Sequence, residues 1–204
     1  MDNLNKALLD IRDIRTQMAL STQFRGYGPA TLVATSCIAL TAATLQSIWI
    51  PDALHSTSVY LGIWVATAVV SASLICIQMF ARTRRIHSGM AQEMIRTAVE
   101  QFLPAIGAGG LTTFVIARFA PSAVWMMPGL WQVIFSLGIF ASCRFLPRLT
   151  MACGAWYLVT GLYCLSLGDA RALSPWAMGI PYAVGQCLVA AILFFNAPEN
   201  ADEA

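Results

Sequence analysis

The chain has 204 residues, of which 58% are hydrophobic and only 11% carry a charge. A soluble globular domain has about 25% charged residues, so this composition excludes an ordinary soluble domain and indicates an integral membrane protein. The net charge of +2 is too small to indicate a nucleic-acid partner, because nucleic-acid-binding domains carry dense patches of Lys and Arg.

Residues 1–28 form a charged segment ahead of the first apolar run. Within 3–20, apolar side chains recur at helical spacing and charged side chains occupy the other positions, which predicts an amphipathic helix. Such a helix can lie in the headgroup layer of the bilayer, or its apolar stripe can bind a cytoplasmic protein partner. The stripe residues that we assign to these contacts are Leu4, Leu8, Ile11, Ile14 and Met18.

Six apolar runs follow, each long enough to cross a lipid bilayer as a helix. They predict an all-α fold, a polytopic membrane helix bundle with six transmembrane helices in one domain at 29–196. The long loop between spans two and three turns amphipathic from Ser88 and predicts a second interfacial helix that runs into span three. An acidic tail occupies 197–204. The predicted spans are 29–50, 58–80, 102–120, 122–143, 146–167 and 174–196.

Two further patterns concern the arrangement of the spans. Phe102-Leu103-Pro104 opens span three and Phe145-Leu146-Pro147 opens span five, and each is followed by a Trp-led span that contains Gly and Pro. The echo suggests three repeated hairpins, although the shared letters are few. Span three also carries the small-x-x-x-small pattern of Ala105 and Gly109, which lets helices approach closely and predicts a central position for this span.

The basic residues predict the orientation of the chain. All 12 Lys and Arg residues except Arg118 and Arg171 lie on the same side of the predicted membrane as the N-terminus. Cytoplasmic segments of membrane proteins are enriched in Lys and Arg. We therefore expect both the N-terminus and the C-terminus to be cytoplasmic.

The predicted spans lack the groups that most membrane chemistry needs. No Asp, Glu, Lys, Arg or His lies in the middle of a span, and His55 and His87 lie in loops on opposite faces. Proton relays, buried haem and membrane proteases require such groups inside the bundle. We expect no catalytic activity, no cofactor and no metal. The polar residues that remain in the spans, Gln46 among them, are interpreted as interhelical hydrogen-bonding groups.

Spans four and six share a pattern that suggests a ligand site. Each has a Trp near a Met, then Pro and Gly inside the apolar run, then one Gln. A proline inside a helix leaves a carbonyl one turn earlier without a partner, and a polar side chain beside such a break can help bind a ligand. The alternative is ordinary kinks and packing contacts. The candidate ligand-binding residues are Pro128, Trp131, Gln132, Pro181, Tyr182 and Gln186.

Three segments carry a resemblance to a known family: 24–31, 128–132 and 154–161, with sequences FRGYGPAT, PGLWQ and GAWYLVTG. The chain resembles a family of small bacterial six-span inner-membrane proteins without an assigned activity. A weaker likeness is to HdeD-type acid-resistance membrane proteins, which also have six spans in three hairpins. The resemblance implies a multi-pass protein of the bacterial inner (cytoplasmic) membrane and implies no mechanism.

Two functional hypotheses fit these patterns. The first is a non-catalytic integral inner-membrane protein that acts as a sensor, scaffold or regulatory partner, through a cytoplasmic protein or as a homo-oligomer. The alternative is a facilitator or binder of a small neutral or apolar molecule, with spans four and six lining the site.

Overall fold

The structure is a computed structural model that describes residues 28–50, 56–85, 89–143 and 149–195, with the side chains of 82–98 left out. The described chain is all-α, as predicted. The amphipathic segment at 1–27 with its apolar stripe and the acidic tail lie outside the described residues. The helices are α1 Pro29–Trp49, α2 Thr57–Arg85, α3 Gly89–Phe119, α4 Met127–Ser142, α5 Thr150–Ser166 and α6 Pro175–Phe195.

Within the described residues, five stretches of helix are long and apolar enough to cross a membrane: Pro29–Trp49, Thr57–Ala81, Val99–Phe119, Pro121–Ser142 and Pro175–Phe195. The protein is therefore a multi-span membrane protein, and lipid surrounds its bundle. α5, the predicted fifth span, is shorter. Its 17 described residues give a helix of about 25 Å, at the lower limit for a transmembrane helix.

The long loop predicted between spans two and three is largely helical. α2 continues to Arg85, and the amphipathic stretch after Ser88 is continuous with span three in the single helix α3. Pro104 lies inside α3 without ending it.

Helices that are neighbours in sequence pack together in space, and α6 returns to pack against α1. The most extensive contacts join α1 to α6 and α4 to α5, whereas α2 and α3 touch only sparsely within the described residues. The end of the bundle that carries the α1–α2, α3–α4 and α5–α6 connections is called the distal end below, and the opposite end the proximal end.

The pairing of α1 with α6 relies on small residues. The buried positions of α1 form one stripe at helical spacing: Leu32, Thr35, Ser36, Ala39, Ala43 and Gln46. Ser36 Oγ donates a hydrogen bond to the carbonyl of Ala183 at 3.1 Å. A Cβ atom added to Gly179 would lie 2.5 Å from Cβ of Ala43, so only glycine allows this approach. Small residues at helix crossings allow close packing in lipid, where apolar burial alone gives little driving force.

The prediction that span three is central is wrong. Within Val99–Phe119 no residue of the most apolar window is buried, so α3 lies at the edge of the bundle. The small-x-x-x-small pair instead faces one neighbour: a Cβ added to Gly138 of α4 would lie 3.1 Å from Cβ of Ala105, and one added to Gly109 would lie 4.0 Å from Ile134. The pattern marks one close helix contact, which an edge helix can make as well as a central one.

The apolar core lies at the distal end. Two short 3₁₀ helices, Pro121–Met126 before α4 and Ala170–Leu173 before α6, contact each other and contribute Val124 and Leu173 to it. Asp169 caps the second 3₁₀ helix, and its carboxylate accepts hydrogen bonds from the backbone N–H and Nε of Arg171. These bonds lower the pKa of Asp169. The buried core residues are Ala43, Tyr60, Trp64, Val124, Met127, Leu173 and Met178.

The contact between α4 and α5 predicts different effects for two glycine substitutions. A Cβ added to Gly129 would lie 2.7 Å from the carbonyl oxygen of Gly161 and 2.6 Å from Leu165 Cγ, and the backbone cannot move away cheaply. We expect Gly129→Ala to lower the free energy of unfolding by about 1–3 kcal/mol. Gly107→Ala is the matched control, because its added methyl group meets no atom within 4 Å and the helix gains propensity. Equal thermal unfolding midpoints of the two variants in detergent would contradict the close α4–α5 approach.

Candidate functional site

The two prolines of the predicted site have different positions in their helices. Pro128 lies in the first turn of α4, where its missing N–H has no helical partner to lose. The carbonyl one turn earlier, that of Val124, accepts a hydrogen bond from the backbone N–H of Met127. The expected helix break at Pro128 is therefore wrong: this proline begins a helix.

Pro181 does break the hydrogen bonding of its helix. It lies inside α6, so the carbonyl of Ala177 loses its helical donor. Gln132 of α4 supplies the replacement: its Nε2 donates to the Ala177 carbonyl at 2.9 Å and to the Pro128 carbonyl at 3.2 Å. The carbonyl that this break leaves without a helical donor thus has a side-chain partner. The contact is an interhelical link between α4 and α6, which favours the packing interpretation of both residues.

α5 contributes a second polar contact at the same break. The indole Nε1 of Trp156 donates to the carbonyl of Pro181 at 3.0 Å. Trp156 is not among the site residues predicted from the sequence. The available signal was that an indole N–H inside an apolar span needs an acceptor.

Of the other predicted site residues, Trp131 and Tyr182 pack against the apolar core at the distal end. Gln132 touches the same core through Met178. The indole of Trp131 donates to Thr113 Oγ1 of α3 at 2.9 Å, away from α6. Gln186 interacts with Tyr157 and lies nine residues beyond Ala177, which is about 13 Å along α6. The two glutamines therefore lie in different layers of the bundle and do not share one pocket. A ligand-binding role for these six residues stays a prediction.

Aromatic rings fill the middle of the bundle. Phe135 of α4 lies 5.4 Å from Phe102, 4.8 Å from Tyr157 and 5.5 Å from Tyr182, measured between ring centroids. Tyr157 and Tyr182 lie 5.2 Å apart. These four residues, from α3, α4, α5 and α6, are called the aromatic layer. Phe135 lies about one turn from Gln132 toward the proximal end. The layer is therefore on the proximal side of the hydrogen bond between Gln132 and Ala177, which is called the Gln132 link below.

Several buried polar atoms at the distal end have no hydrogen-bond partner in the described structure. They are Nε2 and Oε1 of Gln46, the hydroxyl of Tyr60, Nε1 of Trp64 and Oε1 of Gln132. Gln46, Tyr60 and Gln132 are 0% exposed and Trp64 is 4% exposed. More than 90% of buried polar groups are paired in folded proteins, and an unpaired one costs about 1–3 kcal/mol. We therefore regard these four side chains as the candidate functional site and call them the distal polar site.

Three of the four side chains lie at the same apolar core. Tyr60 and Trp64 belong to that core together with Met178, and Nε2 of Gln132 lies 3.9 Å from Sδ of Met178. Gln46 lies three residues before the end of α1 and Tyr60 three residues after the start of α2, so both flank the same connection. The sequence interpretation of Gln46 as an interhelical hydrogen-bonding group is wrong, because neither amide atom has a partner.

A separate groove of about 500 Å³ lies between α1 and α2. None of the four residues of the distal polar site lines it. Its lining is Ile38, Thr41, Ala42, Leu45, Trp49, Ile50, Ile63, Ala66, Thr67 and Val70. The hydroxyl of Thr41 already donates to the carbonyl of Cys37. The groove is therefore suited to lipid chains rather than to a polar ligand.

Comparison of the chain with protein-family models, curated proteins and solved structures finds no match. The resemblance to bacterial six-span proteins therefore stays a prediction, and the site is interpreted from its own geometry.

The Gln132 link predicts a specific coupling between two substitutions. Gln132→Leu leaves the Ala177 carbonyl without a donor, and we expect the free energy of unfolding to fall by about 1–2 kcal/mol. Pro181→Ala restores a backbone N–H that can reach the same carbonyl. In the Pro181→Ala background, Gln132→Leu is therefore expected to cost clearly less. A double-mutant cycle on chemical unfolding in detergent measures the coupling. Additive effects would show that Gln132 does not compensate for the proline.

Proposed function

We propose that this protein is a non-catalytic membrane sensor that binds a small uncharged molecule at the distal polar site. The observation that supports the proposal is the complete burial of Gln46 and Tyr60 with polar atoms that have no partner among the described residues. A bound molecule removes that cost by supplying the missing hydrogen bonds. Natural proteins accept such a cost at binding sites more readily than elsewhere.

The chemistry of the site favours an uncharged ligand. Its polar groups are two amides, a phenol and an indole, and the core residues packed beside them are apolar. An ion placed there would lose its hydration without gaining an opposite charge, which costs far more than transfer of a neutral molecule.

The aromatic layer favours a sensor over an open facilitator. Its ring centroids are 4.8–5.5 Å apart, the spacing of rings in direct contact, so a molecule at the distal polar site finds packed rings on its proximal side. Transport through the bundle would require these rings to separate. Binding without transport requires no such motion.

The proposal includes a six-span topology in the bacterial inner membrane. α5 packs against α4 on one side and α6 on the other, which supports its assignment as a sixth span despite its length. With six spans both termini lie on one side, and the distribution of Lys and Arg favours the cytoplasm for that side. The distal polar site would then lie near the outer surface. The amphipathic segment at 1–28 would report on it through a protein partner or a second copy of the chain.

Ligand-dependent thermal stabilisation tests the binding function. Purified protein in detergent is heated with neutral probes (glycerol, acetamide, 1-propanol) and with charged ones (acetate, methylammonium). We expect at least one neutral probe to raise the unfolding midpoint, because a ligand that binds only the folded state stabilises it. The charged probes should have no specific effect.

Two matched glutamine variants complete this test. Gln46→Leu should abolish the stabilisation by the probe while leaving the probe-free midpoint unchanged or higher, since it removes two unpaired polar atoms. Gln101→Leu removes an amide from α3 outside the distal polar site and should keep the response. A response that survives Gln46→Leu, or an equal response to charged probes, would argue against the proposal.

Cysteine labelling tests the topology. In a background with the six native cysteines replaced, cysteines at Ser56 and Arg171 should react with an impermeant maleimide added to intact cells, and one at Ser88 should react only after lysis. Arg171 is exposed, whereas the adjacent Ala172 is 0% exposed and unsuitable for labelling. Labelling at Ser88 in intact cells, without labelling at the other two positions, would reverse the orientation.

A further inference from the structure

The hydrogen-bonding capacity of the distal polar site restricts the class of its ligand. An indole N–H can only donate, so Trp64 requires an acceptor atom. A tyrosine hydroxyl can donate or accept, and a glutamine amide does both. Although acceptors are present on Gln46, Tyr60 and Gln132, none lies within hydrogen-bonding distance of the Trp64 indole. A molecule that enters the site and carries an acceptor atom would satisfy this donor.

Tyr60 and Trp64 lie on one face of α2 within the same apolar core. They are four residues apart on α2, so their side chains leave the same face of the helix, and both contact the same core cluster. A carbonyl oxygen has two lone pairs and can accept two hydrogen bonds at once. A hydroxyl donor and an indole donor on one helix face match that capacity. Gln46, on the adjacent helix at the same connection, adds an N–H donor and an acceptor.

The surroundings of the two donors define the rest of the molecule. Ala43, Met127 and Met178 pack in the same cluster and present methyl, methylene and thioether groups. An apolar body with one polar end suits such a lining, because apolar surface is favourably buried against it and thioether side chains adapt their shape. The donors are enclosed within the bundle, so the oxygen belongs to a small free molecule rather than to the ester of a bilayer lipid.

On these grounds we infer that the distal polar site takes a small neutral carbonyl compound, a ketone or amide with a short apolar body, whose oxygen accepts hydrogen bonds from Tyr60 and Trp64. This inference rests on the proposed binding function and names the chemical class of its ligand. The ligand needs an acceptor oxygen because both donors are unpaired. It must be small because the donors are buried between α1, α2, α4 and α6.

A pair of probes of the same shape tests the assignment. Acetone and 2-methylpropene differ only in that a methylene group replaces the carbonyl oxygen. The protein is labelled with ¹⁵N in its indole groups and kept in dodecyl maltoside, which carries no ester, and the Trp64 signal is assigned from its loss in Trp64→Phe. We expect acetone to move the Trp64 indole proton downfield in a saturable titration. We expect 2-methylpropene to leave that proton unshifted.

Conservative variants show which donors hold the oxygen. Trp64→Phe and Tyr60→Phe each remove one donor and keep an aromatic ring, and each should weaken acetone binding roughly tenfold, measured from the dependence of the thermal midpoint on acetone concentration. Trp125→Phe is the matched control, because Trp125 packs against the same core but is only partly buried and has no unpaired atom of the site. It should bind acetone as the wild type does.

The outcomes separate this inference from the proposed function. If 2-methylpropene stabilises the protein as strongly as acetone, the site is merely apolar: the carbonyl assignment fails, and binding of a small uncharged molecule stands. If acetone fails while glycerol or 1-propanol binds with dependence on Gln46, the carbonyl class is wrong and the function again stands. If no neutral probe binds, the site holds only water, and both conclusions fail.

Discussion

The structure depends on one hydrogen bond that replaces another. Lipid offers no water to satisfy a carbonyl that Pro181 has deprived of its helical donor, so the donor must come from the protein. Gln132 provides it from α4 at 2.9 Å and so links α4 to α6. Trp156 of α5 donates to the carbonyl of Pro181 itself. Side chains of two other helices therefore bond to α6 at its proline.

The same bond has a consequence for the polar chemistry of the bundle. The N–H₂ group of Gln132 donates to the carbonyls of Pro128 and Ala177, whereas its own carbonyl oxygen is buried and has no donor among the described residues. Gln132 therefore satisfies the carbonyl of Ala177 and leaves its own Oε1 unpaired. The distal polar site and the aromatic layer adjoin at Tyr182, which belongs to the layer and also packs against the apolar core.

Composition and periodicity predict the helical class and most span positions, because apolar helices in lipid leave a strong signal in single sequences. The sequence signal fails where contacts with other elements determine the local structure. Pro128 and Pro181 lie in similar apolar contexts, yet one begins a helix after the 3₁₀ segment Pro121–Met126 and the other interrupts one. Likewise, the small residues Ala105 and Gly109 of α3 indicate a close helix contact but do not determine whether the helix is central. Tyr60 and Trp64 could not be predicted from the sequence, because whether a polar atom is paired depends on all its neighbours in the folded structure.

The pairing of the first helix with the last has a consequence for biogenesis. Ser36 and the carbonyl that it binds are 147 residues apart, so α1 leaves the ribosome long before its partner exists. At about 5–20 residues per second, the interval is on the order of 10 s. During that time the buried stripe of α1, with Ser36 and Gln46, faces lipid or the insertion machinery. Closure of the bundle is therefore a late step of synthesis, and a chain truncated before α6 should present an unfinished membrane surface to quality-control proteases.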